Sequence, residues 1–238
     1  ILVIALIPML MLGCYDQSES GATESSAASA ALVSSPISEL VTVSGGSVRG
    51  TVREQGLYEY LAIPYAAPPV GELRWKPPGA LEPWTGERDG SKFGLPCYQP
   101  DGLSAFYDRA YEVMSEDCLT LNVWTRAGQT SDALPVMVWI HGGALVMGSG
   151  IDYDGAPLTD KGVILVTINY RLGPLGFYAN PELSIEGGGH SGNQGYRDQI
   201  AALTWVQENI RQFGGDPNNV TIFGESAGSW SMCLQVSH

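Results

Sequence analysis

A serine framed by glycines, Gly224-Glu225-Ser226-Ala227-Gly228, follows the apolar run Val220-Thr221-Ile222-Phe223 and precedes Ser229-Trp230-Ser231-Met232-Cys233-Leu234. Strand, sharp turn and helix in that order can hold Ser226 in a strained backbone conformation and lift its hydroxyl clear of a sheet for nucleophilic attack. The glycines two residues before and after the serine fit a crossing too close for side chains. Taken alone, the pattern also fits an ordinary turn, because the chain holds 30 glycines. Upstream, Pro135-Val136-Met137-Val138-Trp139-Ile140 runs directly into His141-Gly142-Gly143-Ala144. This reads as a buried strand whose exit loop needs close backbone approach. Acyl transfer through a serine requires such a loop, since its tetrahedral intermediate carries an oxyanion. Each backbone N–H aimed at that oxyanion is worth about 3–4 kcal/mol. Glycine-rich loop first and serine turn second is the order that ester-cleaving chemistry uses.

The surrounding elements must place these two turns side by side. Val136–Ile140, Val163–Ile168 and Val220–Phe223 are near-continuous apolar runs, as expected of parallel strands covered on both faces. Between the last two runs, Asp198–Ile210 carries Ala202, Trp205, Val206 and Ile210 at helical spacing, and Gly214-Gly215-Asp216-Pro217 ends that helix. Val41–Val43 and Ser47–Val52 suggest an opening hairpin, while Thr120–Trp124 alternates as a strand with one wet face. The fold class predicted is α/β, a central and mostly parallel sheet with helices on both faces.

Six segments carry a family likeness. They are Ala62-Ile63-Pro64-Tyr65-Ala66, Pro68–Pro78 with Gly71-Glu72-Leu73-Arg74-Trp75, Ser115-Glu116-Asp117-Cys118-Leu119-Thr120-Leu121-Asn122-Val123, Asn169–Phe177, Gly192–Gln199 and the serine turn itself. With them the chain, from about Val41 to its last residue, resembles the type B carboxylesterases, the cholinesterase-like branch of the α/β-hydrolases. The resemblance implies Ser226 as nucleophile. It further implies an oxyanion hole of the Gly143, Ala144 and Ala227 N–H groups, with Gly142 permitting the bend. Many members have a third glycine where this chain has Ala144, whose methyl is expected to narrow the acyl pocket. Cys97 and Cys118 are the family's disulfide pair, and Arg74 with Glu116 and Arg171 with Asp198 match its internal ion pairs. For each charge a solvated side chain is the alternative. Phe106, Tyr107 and Tyr111 lie in the Cys97–Cys118 loop without a tryptophan, which argues against a choline ester, because cholinesterases stack the cation on one there.

A serine nucleophile also needs a general base and a carboxylate that orients it. In the family both lie well downstream of the serine. The histidines of this chain are His141, His190 and His238. His141 is expected to shape the oxyanion loop, His190 to sit on a surface loop, and His238 is the last residue. Glu225 is expected to be a buried, hydrogen-bonded carboxylate rather than the orienting acid. The chain therefore reads as an N-terminal fragment, residues 37–238 being the front part of an α/β-hydrolase domain and inactive alone. Cys233 is expected to be a small buried apolar residue.

Ile1–Leu12 is an apolar run of signal-peptide length, too short for the ~20 residues of a spanning helix. Met11-Leu12-Gly13-Cys14 resembles a bacterial lipobox, which makes Cys14 a candidate for lipidation; a plain cleaved signal is the alternative. Residues 1–14 thus read as a partial signal peptide. Residues 15–36, rich in Ser, Ala, Glu and Thr, read as a flexible linker. The protein is expected to be exported, as a periplasmic or cell-surface enzyme, lipid-anchored to a bacterial membrane or secreted.

A net charge of −13, from 12 basic and 25 acidic residues, disfavours nucleic acid. No phosphate loop, dinucleotide fingerprint or metal-ligand spacing is present, so no cofactor and no metal are implied. The expected partner is a small-molecule ester substrate. Two other readings stay open: an inert truncated product, and a cell-surface interaction protein on the same fold. Ser226 in its intact turn argues against the latter.

Overall fold

The apolar runs do become strands, and a computed structural model of the chain, describing residues 34–100 and 111–236, shows how they pair. The strands are β1 (Leu40–Val43), β2 (Gly46–Arg49), β3 (Thr51–Arg53), β4 (Leu57–Pro64), β5 (Glu87–Asp89), β6 (Thr120–Thr125), β7 (Leu134–Ile140), β8 (Ile164–Ile168) and β9 (Gly215–Gly224). The helices are α1 (Ala156–Thr159), α2 (Gly173–Phe177), α3 (Pro181–Glu186), α4 (Gln194–Asn209) and α5 (Ala227–Val236). A small sheet has the order β1-β2-β5, and a six-stranded sheet the order β3-β4-β6-β8-β7-β9. The large sheet is mixed: β7 runs parallel to β8 and β9, and the pairs β3–β4, β4–β6 and β6–β8 are antiparallel.

Alternation along the parallel strands sorts the core onto two faces. Val136, Val138, Ile140, Ile164, Val166 and Ile168 join Ala202, Trp205, Val206 and Ile210 in one buried cluster. Met137, Trp139 and Leu165 join Trp124, Ala156, Leu158 and Phe223 in the other. Helices thus cover both faces. α5 fastens to α4 through a polar seam, with Gln199 Nε2 donating to Ser231 Oγ at 3.1 Å and Gln235 Nε2 to Gln199 Oε1 at 3.1 Å.

Several expectations need correction. The hairpin β1–β2 forms, but its second strand stops at Gly50, and residues 51–53 leave for the large sheet as β3. A Cβ at Gly50 would lie 2.2 Å from the Glu59 carbonyl, so only glycine permits the crossing. β6 has no wet face, since Leu121 to Thr125 are all buried. Its polar residues are satisfied inside: Asn122 Nδ2 donates to Thr167 Oγ1 at 3.0 Å, and Thr125 Oγ1 to the Phe213 carbonyl at 3.0 Å. Between them, Trp124 Nε1 donates to Glu59 Oε1 at 2.8 Å. Val220–Phe223 is not covered on both faces: Thr221 is exposed and Ile222 and Phe223 are partly so, and among the described residues β9 pairs only with β7. Helix α4 starts before the expected residue 198, at Gln194.

The globular part also begins earlier than residue 37. Ser34–Pro36, expected in the linker, pair with the turn at 128–130. The Thr130 N–H donates to the Ser35 carbonyl at 2.9 Å and Ile37 N–H to the Gly128 carbonyl at 2.9 Å, with Pro36 bridged to Gln129. The signal-like residues 1–14 with Cys14, most of the linker, Phe106, Tyr107 and His238 lie outside the described residues. Among the described residues, no helix is long and apolar enough to cross a membrane.

Candidate active site

β7 and β9 are parallel neighbours in register, Ile140 opposite Gly224, so the turns that follow them emerge together. Ser226 is left-handed at φ +54°. A residue with a Cβ is strained there, which is the conformation a nucleophile turn requires. Its carbonyl accepts from Ser229 N–H at 3.0 Å and Trp230 N–H at 3.2 Å, which starts α5 immediately after the serine. Gly228 N–H closes the turn onto the Glu225 carbonyl at 2.8 Å. The flanking glycines are sterically required. A Cβ on Gly228 would lie 2.0 Å from the Ile140 carbonyl oxygen, and one on Gly224 2.6 Å from the same atom. The crowding thus comes from the neighbouring strand as well as from the turn itself.

The loop after β7 reaches over this turn. A Cβ on Gly142 would stand 3.3 Å from Ser226 Cβ and 2.4 Å from Glu225 Oε2. Gly143, Ala144 and Leu145 follow at φ +97°, +55° and +63°. The Gly143 carbonyl turns back to accept from Val146 N–H at 3.0 Å and Met147 N–H at 3.1 Å. Among the described residues the N–H groups of Gly143, Ala144 and Ala227 donate to no protein acceptor. Donors left open beside an exposed serine hydroxyl can receive a developing negative charge. Ala227 is the first residue of α5, so the partial positive charge of that helix end adds to the same field.

His141 underlies the loop instead of facing the serine. It is buried, its ring stacks on Tyr170 at 4.4 Å between centroids, and its Nδ1 lies 2.9 Å from the Gly142 carbonyl. Tyr170 Oη donates to the His141 carbonyl at 2.8 Å. Burial drives the imidazole pKa down to about 4, so at neutral pH the ring is uncharged. His190 is exposed on the loop after α3. Glu225, expected to be buried, is exposed beside Ser226, with its side chain over Gly142. Cys233, also expected to be buried, is exposed on α5. Its side of the helix faces away from α4, where Ser231 makes the contact.

Cys97 and Cys118 are joined by a disulfide and buried. Arg171 and Asp198 form a buried bidentate pair at 2.8 and 2.6 Å, and burial raises the Asp198 pKa against the opposing pull of the guanidinium. Arg74 grips Glu116 with two 2.5 Å bonds nearer the surface. These pairs fix the segments between the disulfide and α4 and do not touch Ser226. A groove of about 450 Å³ between residues 44–45, residues 78–81 and α4 also lies away from it. The residues that sequence reasoning missed are those that brace the loop. Tyr170 stood in a recognised motif without a role, and Leu145 and Gln99 gave no local signal at all.

Comparison with known proteins bears on this arrangement. Residues 37–238 match the model of the Carboxylesterase family. The chain is 50% identical over 195 residues to a fumonisin B1 esterase of Sphingopyxis macrogoltabida, covering 81% of this chain and 35% of that protein. It is 48% identical over 202 residues to the para-nitrobenzyl esterase of Bacillus subtilis (strain 168), covering 84% of this chain and 40% of that protein. Among solved structures, a PNB esterase superposes with a TM-score of 0.75 at 47% identity, over 82% of this chain and 40% of that one. A Geobacillus stearothermophilus carboxylesterase gives 0.74 at 42% identity, over 84% and 41%. The chain thus spans well under half the length of these relatives.

Proposed function

Because this chain belongs to the carboxylesterase family, we propose that it carries the nucleophile and oxyanion hole of a serine esterase that cleaves small carboxylic esters through an acyl-enzyme. Ser226 Oγ attacks the ester carbonyl carbon while a base takes its proton. The carbonyl oxygen becomes an oxyanion held by the N–H groups of Gly143, Ala144 and Ala227. The intermediate collapses, the C–O bond to the alcohol breaks, and the alcohol leaves with the proton. Water then attacks the acyl-serine by the same route in reverse, releasing the acid. The observation that carries this reading is the left-handed Ser226 at φ +54° set against the Gly142 turn.

In this proposal the base is neither His141, whose ring is buried beneath the loop and stacked on Tyr170, nor His190 on the loop after α3. In this proposal base and acid belong to the part of the domain that the relatives have and this chain does not span. That part also covers α5, where Trp230 is 71% exposed, and the open edge of β9. Export is a further part of the proposal, with residues 1–14 as signal and Cys14 as lipid anchor; Cys14→Ser is expected to shift the protein from the membrane to the soluble fraction.

The test is hydrolysis of p-nitrophenyl butyrate. The full-length gene product carrying this chain is expected to turn it over and to lose about 10⁴-fold or more with Ser226→Ala. Residues 34–238 alone are expected to show no turnover above the same alanine control. Turnover that survives Ser226→Ala would remove the serine from the mechanism.

A further inference from the structure

The loop after β7 holds two left-handed residues that carry a Cβ, Ala144 and Leu145, between Gly143 and Gly148, itself at φ +107°. Each such residue is strained and persists only where its surroundings over-determine it. One brace is the Leu145 carbonyl, which accepts from Gly173 N–H at 2.7 Å. The other is a single side chain at the far end of the loop. Gly148 N–H donates to Gln99 Oε1 at 2.7 Å, and the Gly148 carbonyl accepts from Gln99 Nε2 at 3.0 Å. The same Nε2 donates to the Cys97 carbonyl at 3.1 Å. Cys97 is buried and disulfide-bonded to Cys118, so the amide stands on a fixed base.

Gly148 also packs against the loop's root. A Cβ on Gly148 would lie 2.5 Å from His141 Nδ1 and 2.8 Å from the Gly142 carbonyl, so these groups are in direct contact. Gly142 in turn is packed against Ser226. A primary amide matches the donor and acceptor of one peptide unit, whereas an aliphatic side chain at 99 would leave both Gly148 groups unpaired.

We propose that Gln99 is a positioning residue for ester cleavage: its amide, based on the Cys97–Cys118 disulfide, holds Gly148 and thereby the Gly143 and Ala144 N–H groups where the oxyanion forms beside Ser226. The inference rests on the reading of Ser226 as nucleophile. An oxyanion uses those donors far more strongly than a ground-state ester carbonyl does, so the clamp acts on the acylation rate and leaves substrate binding nearly unchanged.

The experiment uses the full-length gene product with Gln99→Leu, which removes every amide bond, and Gln99→Glu, which keeps the acceptor for Gly148 N–H. With p-nitrophenyl butyrate, kcat is expected to fall ~10–100-fold in the leucine variant, with KM within about threefold, and to fall less in the glutamate variant. The rate of phosphonate labelling at Ser226 is expected to fall in the same order. Amide exchange should rise in residues 141–149 while α4 and β8 exchange as before. The proposal is overturned if folded Gln99→Leu keeps kcat and labelling rate within about twofold. It is equally overturned if protection is lost across the whole domain in both variants, which marks a merely structural role. If the unaltered protein is labelled at a residue other than Ser226, the nucleophile reading itself fails; labelling at Ser226 with unchanged rates sinks Gln99 alone.

Discussion

The serine turn and the loop beside it, which would face the same ester in the proposed reaction, are held in place by different means. The turn is fixed largely by its own backbone, the Glu225 carbonyl taking Gly228 N–H and α5 beginning at once, with one outside contact where Gly224 and Gly228 admit the Ile140 carbonyl of β7. The loop is fixed from outside, by Gly173 at Leu145, Tyr170 at His141 and Gln99 at Gly148. The left-handed Ser226 is therefore set mostly by residues 224–228 and the Ile140 carbonyl against which they pack. The Gly143 and Ala144 N–H groups proposed as oxyanion donors depend in addition on contacts that the rest of the fold must deliver.

The contrast can be broken most forcefully at the turn. Gly228→Ala is expected to cost about 3 kcal/mol or more, because its methyl meets a backbone carbonyl that cannot rotate away. Urea unfolding of the full-length product measures this, and a loss below about 1 kcal/mol would mean that the strands separate more easily than the contact allows.

At the loop, the comparable test is pH. The His141 imidazole is lowered from its ordinary 6.5 to about 4 by burial against Tyr170, with the Gly142 carbonyl pulling weakly the other way. Between those values the unfolded chain binds a proton that the folded one refuses. Stability from this group is thus complete above pH 6.5 and lost progressively as pH falls toward 4, by about 3 kcal/mol in all. Urea midpoints between pH 7.5 and 4 read the slope, and His141→Gln is expected to flatten it. An unchanged slope in that variant would place the proton uptake elsewhere.

The smallest effect is expected at Ala144. Glycine at this position relieves a left-handed alanine but frees the unfolded backbone, so Ala144→Gly should change stability by no more than about 1 kcal/mol. It should also widen the entry beside Ser226, seen as faster turnover of esters with bulkier acyl groups relative to butyrate. Equal acceleration for every acyl group would put the methyl outside the acyl pocket.

The same division explains what could be read from the chain. The serine turn, the strand before it, the helix α4 and the glycines of the loop are local patterns, and residues 136–140, 202–210 and 224–228 express them directly. Polar burial was not legible. Asn122, Thr125 and Glu59 look like solvent-facing residues until β4, β8 and the Phe213 carbonyl arrive as partners from distant sequence. Gln99 lies 49 residues from Gly148, and nothing near either residue announces the bond. Glu225 and Cys233 erred in the opposite direction: each was expected to be buried, and both are exposed, on α5 or the turn before it. The break at Gly50 was missed because the alternation of β2 continues smoothly into β3 across it.

The central claim is that Ser226 Oγ is the nucleophile that accepts the acyl group in a covalent acyl-enzyme. Mass spectrometry of the full-length product after reaction with an organophosphonate ester tests it most directly. A single phosphonyl adduct on the peptide containing Ser226, absent in a Ser226→Ala variant that circular dichroism shows to be folded, is the result expected from the left-handed turn and the open N–H groups around it. An adduct on any other residue, or one that persists in the alanine variant, would contradict the account.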